Sequence, residues 1–534
     1  MTYRSTVRLL ALLFVWQSAN GFKILITTVG LAGSQNLVMY RLADLLGAHN
    51  NDVTILKWIV NPKAPQPKLK YAKEISYPLV GGEDPWESIE AGLNQLPWKT
   101  HSLVNFDMSV IKRFNRATIN GCERFLNDTE NAAHKQLFND HFDAIVIHVA
   151  DMCTFGIAKM IGNPSTIWMN TAFMPDHMAH YSGVPYPVSY VPSAIHPVTD
   201  KMTFLERIKN SFMTISGLAL IEYGQLPAFT EVFRRKAGDD FPDFTTIIRE
   251  TQLYFVNADP FFEYARPTQH NIIYVGGLTM QNEEPLSAEW VKIMDEASDS
   301  GVVVFSLGTV ASTHLMPIEM KEAFVAAFSH FPDVTFVLRI DGELPKLPKN
   351  VKHVTWIPQK DLLIHPKMRA FITHGGYNSL TEATYSGVPL IVLPLWGDQM
   401  PNAKRVERLG IGTALDKDHL TEPSIVAALH KVLNDSSYNM RAKRLSQMIR
   451  EKPVSSADLA VRWIEYLAQF RTVDNLLPES RHLGLIQYYS LDVMAILVIA
   501  LLTIVYIVWR MLRLLLSFCW RLVFGRSVGH QKAE

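Results

Sequence analysis

One short stretch combines glycines, a histidine and polar residues in an order suited to holding phosphate. Residues 371–382 read FITHGGYNSLTE, and the first of them form an apolar run typical of a buried strand. Glycines let a backbone approach a ligand closely, and the helix predicted to begin near Asn378 offers free N–H groups and a partial positive charge. The stretch therefore predicts a phosphate site, to which His374 adds a donor. A glycine pair alone would equally fit an ordinary strand-to-helix turn.

Other residues in and around this stretch suit a base, a ribose and a sugar. Trp356 offers a flat ring for a base, the amide of Gln359 can pair with base or ribose, and Glu382 can accept from ribose hydroxyls. Asp398 and Gln399 follow a second apolar strand and suit sugar hydroxyls. Taken alone, Trp356 would also fit an aromatic residue of the core.

A hydroxyl and a glycine end another predicted strand. Ser306 is the last residue of the apolar run 302–306 and Gly308 lies just beyond it, where a hydroxyl and a bare backbone can meet phosphate or sugar.

Together these motifs resemble the UDP-glycosyltransferase family, in its membrane-bound, UDP-glucuronosyltransferase-like branch. The resemblance spans almost the whole chain and is strongest over residues 301–492. It implies a UDP-hexosyltransferase that conjugates a sugar to small lipophilic acceptors, a detoxifying reaction, with inversion at the anomeric carbon. The implied co-substrate is UDP-glucuronate or UDP-glucose, without a further cofactor or a metal. The implied donor contacts are Ser306, Gly308, Trp356, Gln359, His374, Gly376, Asn378, Ser379, Glu382, Asp398 and Gln399.

The sugar itself is left open. Arg266 matches an arginine that the glucuronate-using relatives place near the sugar carboxylate, a group that a guanidinium suits. An arginine on a linker is usually just solvated, so Arg266 does not separate glucose from glucuronate.

The resemblance also implies a catalytic pair in the first half, and here both of its positions hold a different residue. In the family, a histidine after the first strand removes the acceptor proton and a carboxylate at a later strand end orients it. This chain has Gln35 at the first position, and an amide cannot act as that base. It has His148 at the second position, with Asp151 three residues further on.

Three interpretations follow from this altered pair. In the first, His148 is the base, oriented by Asp151 and supported by Gln35. In the second, the acceptor is an amine or an acidic hydroxyl that needs little help. In the third, the chain binds UDP-sugar without efficient turnover and acts as a partner of active relatives. Against the first stands the fact that a histidine at a strand end is more often structural.

Two series of apolar runs, separated by amphipathic stretches, predict two buried parallel sheets. The runs are 23–27, 53–56, 144–147 and 166–168, and then 302–306, 335–338, 353–356, 370–373 and 390–393. The predicted fold class is therefore α/β, with two doubly wound Rossmann-like domains, which the resemblance names GT-B. Ligands bind beyond the carboxyl ends of such strands, so two halves predict a shared cleft.

The segments of the chain follow from these runs and from its apolar ends. We predict a signal peptide at 1–21, an acceptor-binding domain at 22–265, a linker at 266–300, a UDP-sugar-binding domain at 301–450, a helix returning to the first domain and a membrane approach at 451–489, a transmembrane helix at 490–516 and a cytosolic basic tail at 517–534. The apolar stretch 204–226 fits either contact with a membrane surface or a buried helix pair.

Both ends of the chain indicate a membrane protein. Arg4 and Arg8 form a basic region that precedes the short apolar run 9–16, the pattern of a secretory signal peptide. Residues 493–509 are uncharged and apolar, and the basic residues beyond them predict a cytosolic tail. We therefore expect a single-pass type I protein of the endoplasmic reticulum membrane with its catalytic part in the lumen. Lys532 is half of a dilysine-type retrieval signal.

Charge and cysteine content bound the partners. The 51 basic and 51 acidic residues cancel, which argues against nucleic acid. We expect a UDP-sugar, a small lipophilic acceptor and the membrane as partners, with homo- or hetero-oligomers of relatives left open. Cys122 and Cys153 would be luminal, and their spacing does not decide whether they pair. Asn127 and Asn434 begin glycosylation triplets.

Overall fold

The computed structural model describes residues 21–31, 33–81, 85–100, 108–280, 284–308 and 311–524. The predicted signal peptide, except for its last residue, and the end of the predicted basic tail lie outside these residues. The chain divides into two compact units, Met1–Leu477 and Pro478–Glu534.

The first half of the larger unit is built on a parallel sheet with the strand order β3-β2-β1-β4-β5-β6-β7. The strands are β1 Lys23–Gly30, β2 Asp52–Ile59, β3 Lys73–Pro78, β4 Ala144–His148, β5 Ser165–Asn170, β6 Leu253–Val256 and β7 Ile272–Tyr274. Because β7 pairs with β6, this sheet extends past residue 265 into the predicted linker. The neighbours of β1 are β2 and β4, so the strand order reverses beside β1.

The second half repeats the design with the order β10-β9-β8-β11-β12-β13, again parallel. Its strands are β8 Val302–Ser306, β9 Thr335–Arg339, β10 Val351–His353, β11 Met368–Thr373, β12 Leu390–Val392 and β13 Gly412–Ala414. The predicted run 353–356 is shifted, since β10 ends at His353 and Trp356 follows it in a loop. Two doubly wound halves confirm the predicted fold class.

Helices connect and cover the strands. They are α1 Gly33–Ala48, α2 Trp86–Gln95, α3 Met108–Asn127, α4 Ala132–Asn139, α5 Cys153–Met160, α6 Asp176–Ser182, α7 Phe204–Ala219, α8 Leu226–Ala237, α9 Phe244–Arg249, α10 Ala288–Glu296, α11 Ile318–Ser329, α12 Gln359–Leu363, α13 Tyr377–Ser386, α14 Gln399–Leu409, α15 Glu422–Asn434, α16 Ser436–Arg450, α17 Ser456–Phe470, α18 Leu485–Tyr488 and α19 Leu491–Phe524.

The central strands are buried along their whole length, as a parallel sheet covered on both faces requires. Part of the cover of the first sheet comes from α17, far along the chain. Ser455 caps this helix by accepting from the N–H of Asp458. Its apolar face, which includes Ile464 and Leu467, joins the core of the first half, and Glu465 accepts a hydrogen bond of 2.8 Å from Asn51.

Two features left open by the sequence are decided by the structure. Cys122 in α3 and Cys153 in α5 form a disulfide bond. In α7, the side chains of Phe204, Leu205 and Phe212 are 66–75% exposed, so this region is not a buried helix pair.

The smaller unit, Pro478–Glu534, consists mainly of α19. This helix has 34 residues, exposes its side chains, and is long and apolar enough to cross a membrane. The helix begins at Leu491, one residue after the start of the predicted span 490–516, and continues beyond the end of that span to Phe524.

Candidate active site

A cavity of about 290 Å³ lies where the two sheets present the carboxyl ends of their strands. Doubly wound sheets bind ligands at the point where the strand order reverses. In the first sheet that point is β1/β4, and Gln35 after β1 lines the cavity. In the second it is β8/β11, and His374 and Gly376 after β11 line the opposite wall.

The predicted sites fall into two groups relative to this cavity. Gln35, His374, Gly376, Asn378, Asp398 and Gln399 line it. Ser306, Gly308, Trp356, Gln359, Ser379, Glu382, His148 and Asp151 do not.

The ring of His374 is held in a slot between two glycines. A Cβ on Gly308 would lie 2.6 Å from its Cε1, and a Cβ on Gly376 would lie 2.4 Å from its Nε2. Gly308 also has a φ of 76°, which other residues rarely adopt. Burial, and after it the nearby Arg339 guanidinium, lowers the pKa of His374 to about 4. The imidazole is therefore neutral at pH 7 and can donate one N–H into the cavity.

A helix N-terminus adjoins this histidine. Helix α13 begins at Tyr377 with Gly376 as its N-cap, so no side chain caps its first turn. The N–H groups of a helix's first turn and the helix dipole attract anions. The neighbouring Ser306 is 2% exposed at the end of β8, so its hydroxyl lies below the surface of the cleft.

Three side chains beside α13 form a hydrogen-bonded cluster suited to a ribose and a base. The amide of Gln359 donates to Glu382 at 2.6 Å and to Ser379 at 3.2 Å. Burial raises the pKa of Glu382 from 4.5 to about 7, against the opposing effect of the Gln359 bond. Trp356 is 64% exposed, so it is not a core residue and its ring is open to stacking.

Asp398 and Gln399 line the cavity but differ in what they offer. Asn402 donates to Asp398 at 3.1 Å and to the carbonyl of Gly375 at 2.9 Å, which ties the two turns together. Burial raises the pKa of Asp398 above its usual value. The side-chain carbonyl of Gln399 already accepts from the N–H groups of Leu395 and Trp396 at 2.9 and 3.3 Å. The side-chain oxygen of Gln399 therefore stabilises the turn in which Gln399 itself lies.

The predicted pair of His148 and Asp151 does not form. The carboxylate of Asp151 accepts from Trp58 at 2.9 Å and from the hydroxyl of Thr154 at 2.6 Å, so it is turned away from the imidazole. His148 is completely buried, and its Nδ1 accepts from the N–H of Ala150 at 3.2 Å. That bond places the ring proton on Nε2, which has no partner among the described residues. Burial also lowers the pKa of His148 to about 4.

These contacts correct the first interpretation of the altered pair. A general base needs an unprotonated atom within reach of the substrate proton. His148 has its free lone pair occupied by a backbone N–H and does not line the cavity, and Asp151 does not orient it.

The structure also adds residues that the sequence did not single out. Asn61 after β2, and Trp86, Glu90 and Asn94 on α2, line the first-half wall of the cavity. The helical spacing of Trp86, Glu90 and Leu93 is the signal that could have placed them on one face. Arg266 is not among the lining residues: it donates to the carbonyl of Met174 at 3.2 Å, and its guanidinium lies 4.8 Å from the centre of the Tyr186 ring.

Two doubly wound parallel sheets that present the carboxyl ends of their strands to a shared cleft define the GT-B fold of glycosyltransferases. A family model described as "UDP-glucoronosyl and UDP-glucosyl transferase" matches residues 24–525. The UDP-glucuronosyltransferase 1A9 of Mus musculus is 33% identical over 425 residues, 78% of each chain. The ugt-47 protein of Caenorhabditis elegans is 30% identical over 507 residues, 91% of this chain and 92% of its own.

Among solved structures, Os79 from O. sativa, in complex with U2F and trichothecene, matches with a TM-score of 0.57 and 17% identity. The match covers 83% of this chain and the whole of that one, and supports the fold. The chain therefore belongs to the UDP-glycosyltransferase family and is a glycosyltransferase.

Proposed function

We propose that this glycosyltransferase moves a hexose from UDP-glucuronate or UDP-glucose to a small lipophilic acceptor, with inversion at the anomeric carbon. The observation that carries the proposal is the series of groups along the end of the second sheet. Trp356 and Glu382 suit a nucleoside, whereas His374 and Asp398, which line the cavity, suit a diphosphate and a sugar.

The donor side would act chiefly on the leaving group. The neutral imidazole of His374 donates one hydrogen bond to the diphosphate, and the first turn of α13 adds N–H groups and its dipole. This hydrogen bond would strengthen as negative charge develops on UDP during cleavage of the C1–O bond, when stabilisation matters most.

The nucleoside and the sugar would be held on either side of that diphosphate. Trp356 stacks on uracil, while Glu382, positioned by Gln359, accepts from the ribose hydroxyls. Asp398 accepts from sugar hydroxyls, held in place by Asn402. Arg266 donates to the carbonyl of Met174 and does not line the cavity, so it does not select between glucose and glucuronate.

The acceptor would enter from the first-half wall and attack C1 from the face opposite UDP. Its lone pair forms the new bond to C1, and the electrons of the C1–O bond leave with the β-phosphate. This single displacement inverts the anomeric carbon. Gln35 lines that wall, where its amide can bind the acceptor but cannot remove its proton.

One observation favours a second function. Because Gln35 cannot act as a base and both nitrogens of His148 are unsuited to the task, the chain also fits a UDP-sugar-binding partner of active relatives without efficient turnover.

We place the protein in the endoplasmic reticulum membrane with its cleft in the lumen. Helix α19 is long and apolar enough to cross a bilayer. The exposed Phe204, Leu205 and Phe212 of α7 suit contact with a membrane surface. Protease treatment of sealed microsomes should remove only the short tail, and digestion of the main body in intact vesicles would contradict this orientation.

The decisive test is turnover by the full chain in detergent micelles or microsomes. UDP-glucose and UDP-glucuronate are each offered with a panel of phenols and amines, and UDP binding is measured in parallel. Transfer to any acceptor supports the proposed enzyme. Tight UDP binding without transfer to any acceptor supports the non-catalytic alternative. Trp356→Ala should weaken UDP binding by about 1–3 kcal/mol.

A further inference from the structure

The first-half wall of the cleft carries one ionisable side chain within the described part of the chain, Glu90 on α2. The other first-half residues on that wall, such as Gln35, Asn61 and Thr171, have no ionisable group. An acceptor bound between this wall and the donor site therefore meets Glu90 as the first-half candidate for a proton acceptor that lines the cavity.

Helix α2 is held so that this side chain faces the cleft. Ile89 is completely buried, which fixes the core side of the helix. A Cβ on Gly92 would lie 2.5 Å from a methyl group of Val110, so α2 packs closely against α3. Trp86, Glu90 and Leu93, at spacings of four and three, form the face that lines the cavity.

The carboxylate of Glu90 is anchored on its outer side. Lys63, which follows β2, lies 3.0 Å from Oε2, and the side chains of Lys63 and Glu90 are 67% and 24% exposed. A carboxylate has about four lone-pair sites on its two oxygens, so this ion pair leaves capacity for a bond to the acceptor. Because Lys63 is largely in solvent, its attraction is weak, and water can reach the pair.

We propose that Glu90 is the catalytic base, which takes the proton of an acceptor hydroxyl as the glycosidic bond forms. This inference rests on the proposed transferase function. The acceptor oxygen forms its bond to C1, UDP leaves with the electron pair of the broken bond, and the acceptor proton moves to the Glu90 carboxylate. Water beside Lys63 then removes that proton. Glu90 thus replaces the histidine base that Gln35 cannot supply and that the buried His148 does not replace.

The test is a series of para-substituted phenols of equal shape and graded acidity, offered to the full chain and to Glu90→Gln. A missing base matters most for the least acidic phenols, so their kcat should fall on the order of 10²–10⁴-fold. A nitrophenol, already partly ionised, should lose less than about tenfold. Glu87→Gln is the matched control, because Glu87 lies on the same helix, is exposed and does not line the cavity.

Two further measurements separate chemistry from folding. UDP binding by Glu90→Gln should equal that of the parent, and added formate should restore part of the activity of Glu90→Ala. Unchanged turnover in Glu90→Gln, or an equal loss for every phenol without rescue by formate, would overturn the role of Glu90 while the proposed function stands. If the parent itself transfers sugar to no acceptor, the proposed function fails and this role fails with it.

Discussion

His374 occupies a slot that exists only because Gly308 and Gly376 have no side chains. The two glycines differ in backbone, since Gly376 has an ordinary φ of −62° that alanine adopts without strain. A substitution at Gly376 therefore tests the packing against the His374 ring without straining the local backbone.

Gly376→Ala should displace the His374 ring, because the new Cβ would lie 2.4 Å from Nε2. Losing its hydrogen bond to a charged phosphate should weaken UDP binding by about 1.5–3 kcal/mol. Titration calorimetry measures this change, with unfolding in urea as the check on stability. Gly217→Ala, where nothing lies within 4 Å, is the control and should bind UDP like the parent. If Gly376→Ala bound UDP as tightly as the parent, the assignment of His374 to the diphosphate would be contradicted.

Glu382 should make nucleoside binding depend on pH. Its pKa is raised by burial to about 7, so the free protein holds it largely neutral at pH 5.5 and ionised at pH 8. Ribose hydroxyls donate more strongly to the ionised form. Affinity for uridine, which lacks phosphates and so leaves His374 aside, should rise roughly tenfold between those pH values. Glu382→Gln should bind uridine weakly at both pH values. A uridine affinity of the parent that does not change with pH would contradict the assignment of Glu382.

The donor wall could be predicted from sequence because its residues are neighbours in the chain. Residues 371–382 form one strand, one turn and one helix, so their spacing already determines their geometry. The lack of a pair between His148 and Asp151 could not be predicted from sequence. Asp151 is bonded instead to Trp58 and Thr154, which lie on two different elements. Glu90 was missed for the same reason: its place in the cleft depends on how α2 packs on α3.

At the scale of single elements, α17 ties the end of the larger unit to the first sheet. Ile464 is completely buried among Ile24, Val146 and their neighbours. The strands beneath Ile464 cannot rearrange to fill the space that its side chain occupies.

Ile464→Ala should lower the free energy of unfolding by about 2–5 kcal/mol, the usual cost of emptying a core site. Denaturation in urea, followed by tryptophan fluorescence, measures the change. Gln469→Ala, five residues further along the same helix and exposed, should cost less than about 0.5 kcal/mol. Equal effects of the two substitutions would show that α17 does not stabilise the first half.

The sequence predicted β1, β2, β4, β5, β8, β9, β11 and β12, placed β10 too late in the chain, and missed β3, β6, β7 and β13. Runs such as 144–147 are apolar throughout because both faces of the strand are covered. β3, at the edge of the first sheet, has mostly exposed or half-buried residues, and β7 and β13 have three residues each. Such short segments carry too little hydrophobic pattern to be distinguished from loops. This is also why the predicted linker began too early.

At the scale of the whole larger unit, the two halves are joined by a buried ion pair behind the cleft. Arg405 on α14 lies 3.2 Å from Glu263 of the first half, with side-chain exposures of 5% and 9%. Tyr377 donates to the same carboxylate at 2.9 Å, and Phe173 stacks on the guanidinium at 4.4 Å. Thus the wall that carries His374 is fixed to the opposite half.

Arg405→Met should destabilise the protein by about 3–5 kcal/mol, because it leaves the buried carboxylate of Glu263 without its partner. Arg408→Ala breaks another ion pair between the halves, that with Asp200, but its partners are 42% and 25% exposed. That control should cost no more than about 1 kcal/mol. Both are measured as free energies of unfolding in urea. A loss below 1 kcal/mol for Arg405→Met would mean that the halves do not depend on this pair.

The return of α17 to the first sheet has a consequence for how the chain matures on the ribosome. The last strand of that sheet ends at Tyr274, but the helix that covers one of its faces ends only at Phe470. At a synthesis rate of about 5–20 residues per second, the intervening chain takes roughly 10–40 s to emerge. During that interval, the apolar surface that α17 will cover is open to solvent and to chaperones. The first half, although made first, therefore completes its core after the second half has been synthesised.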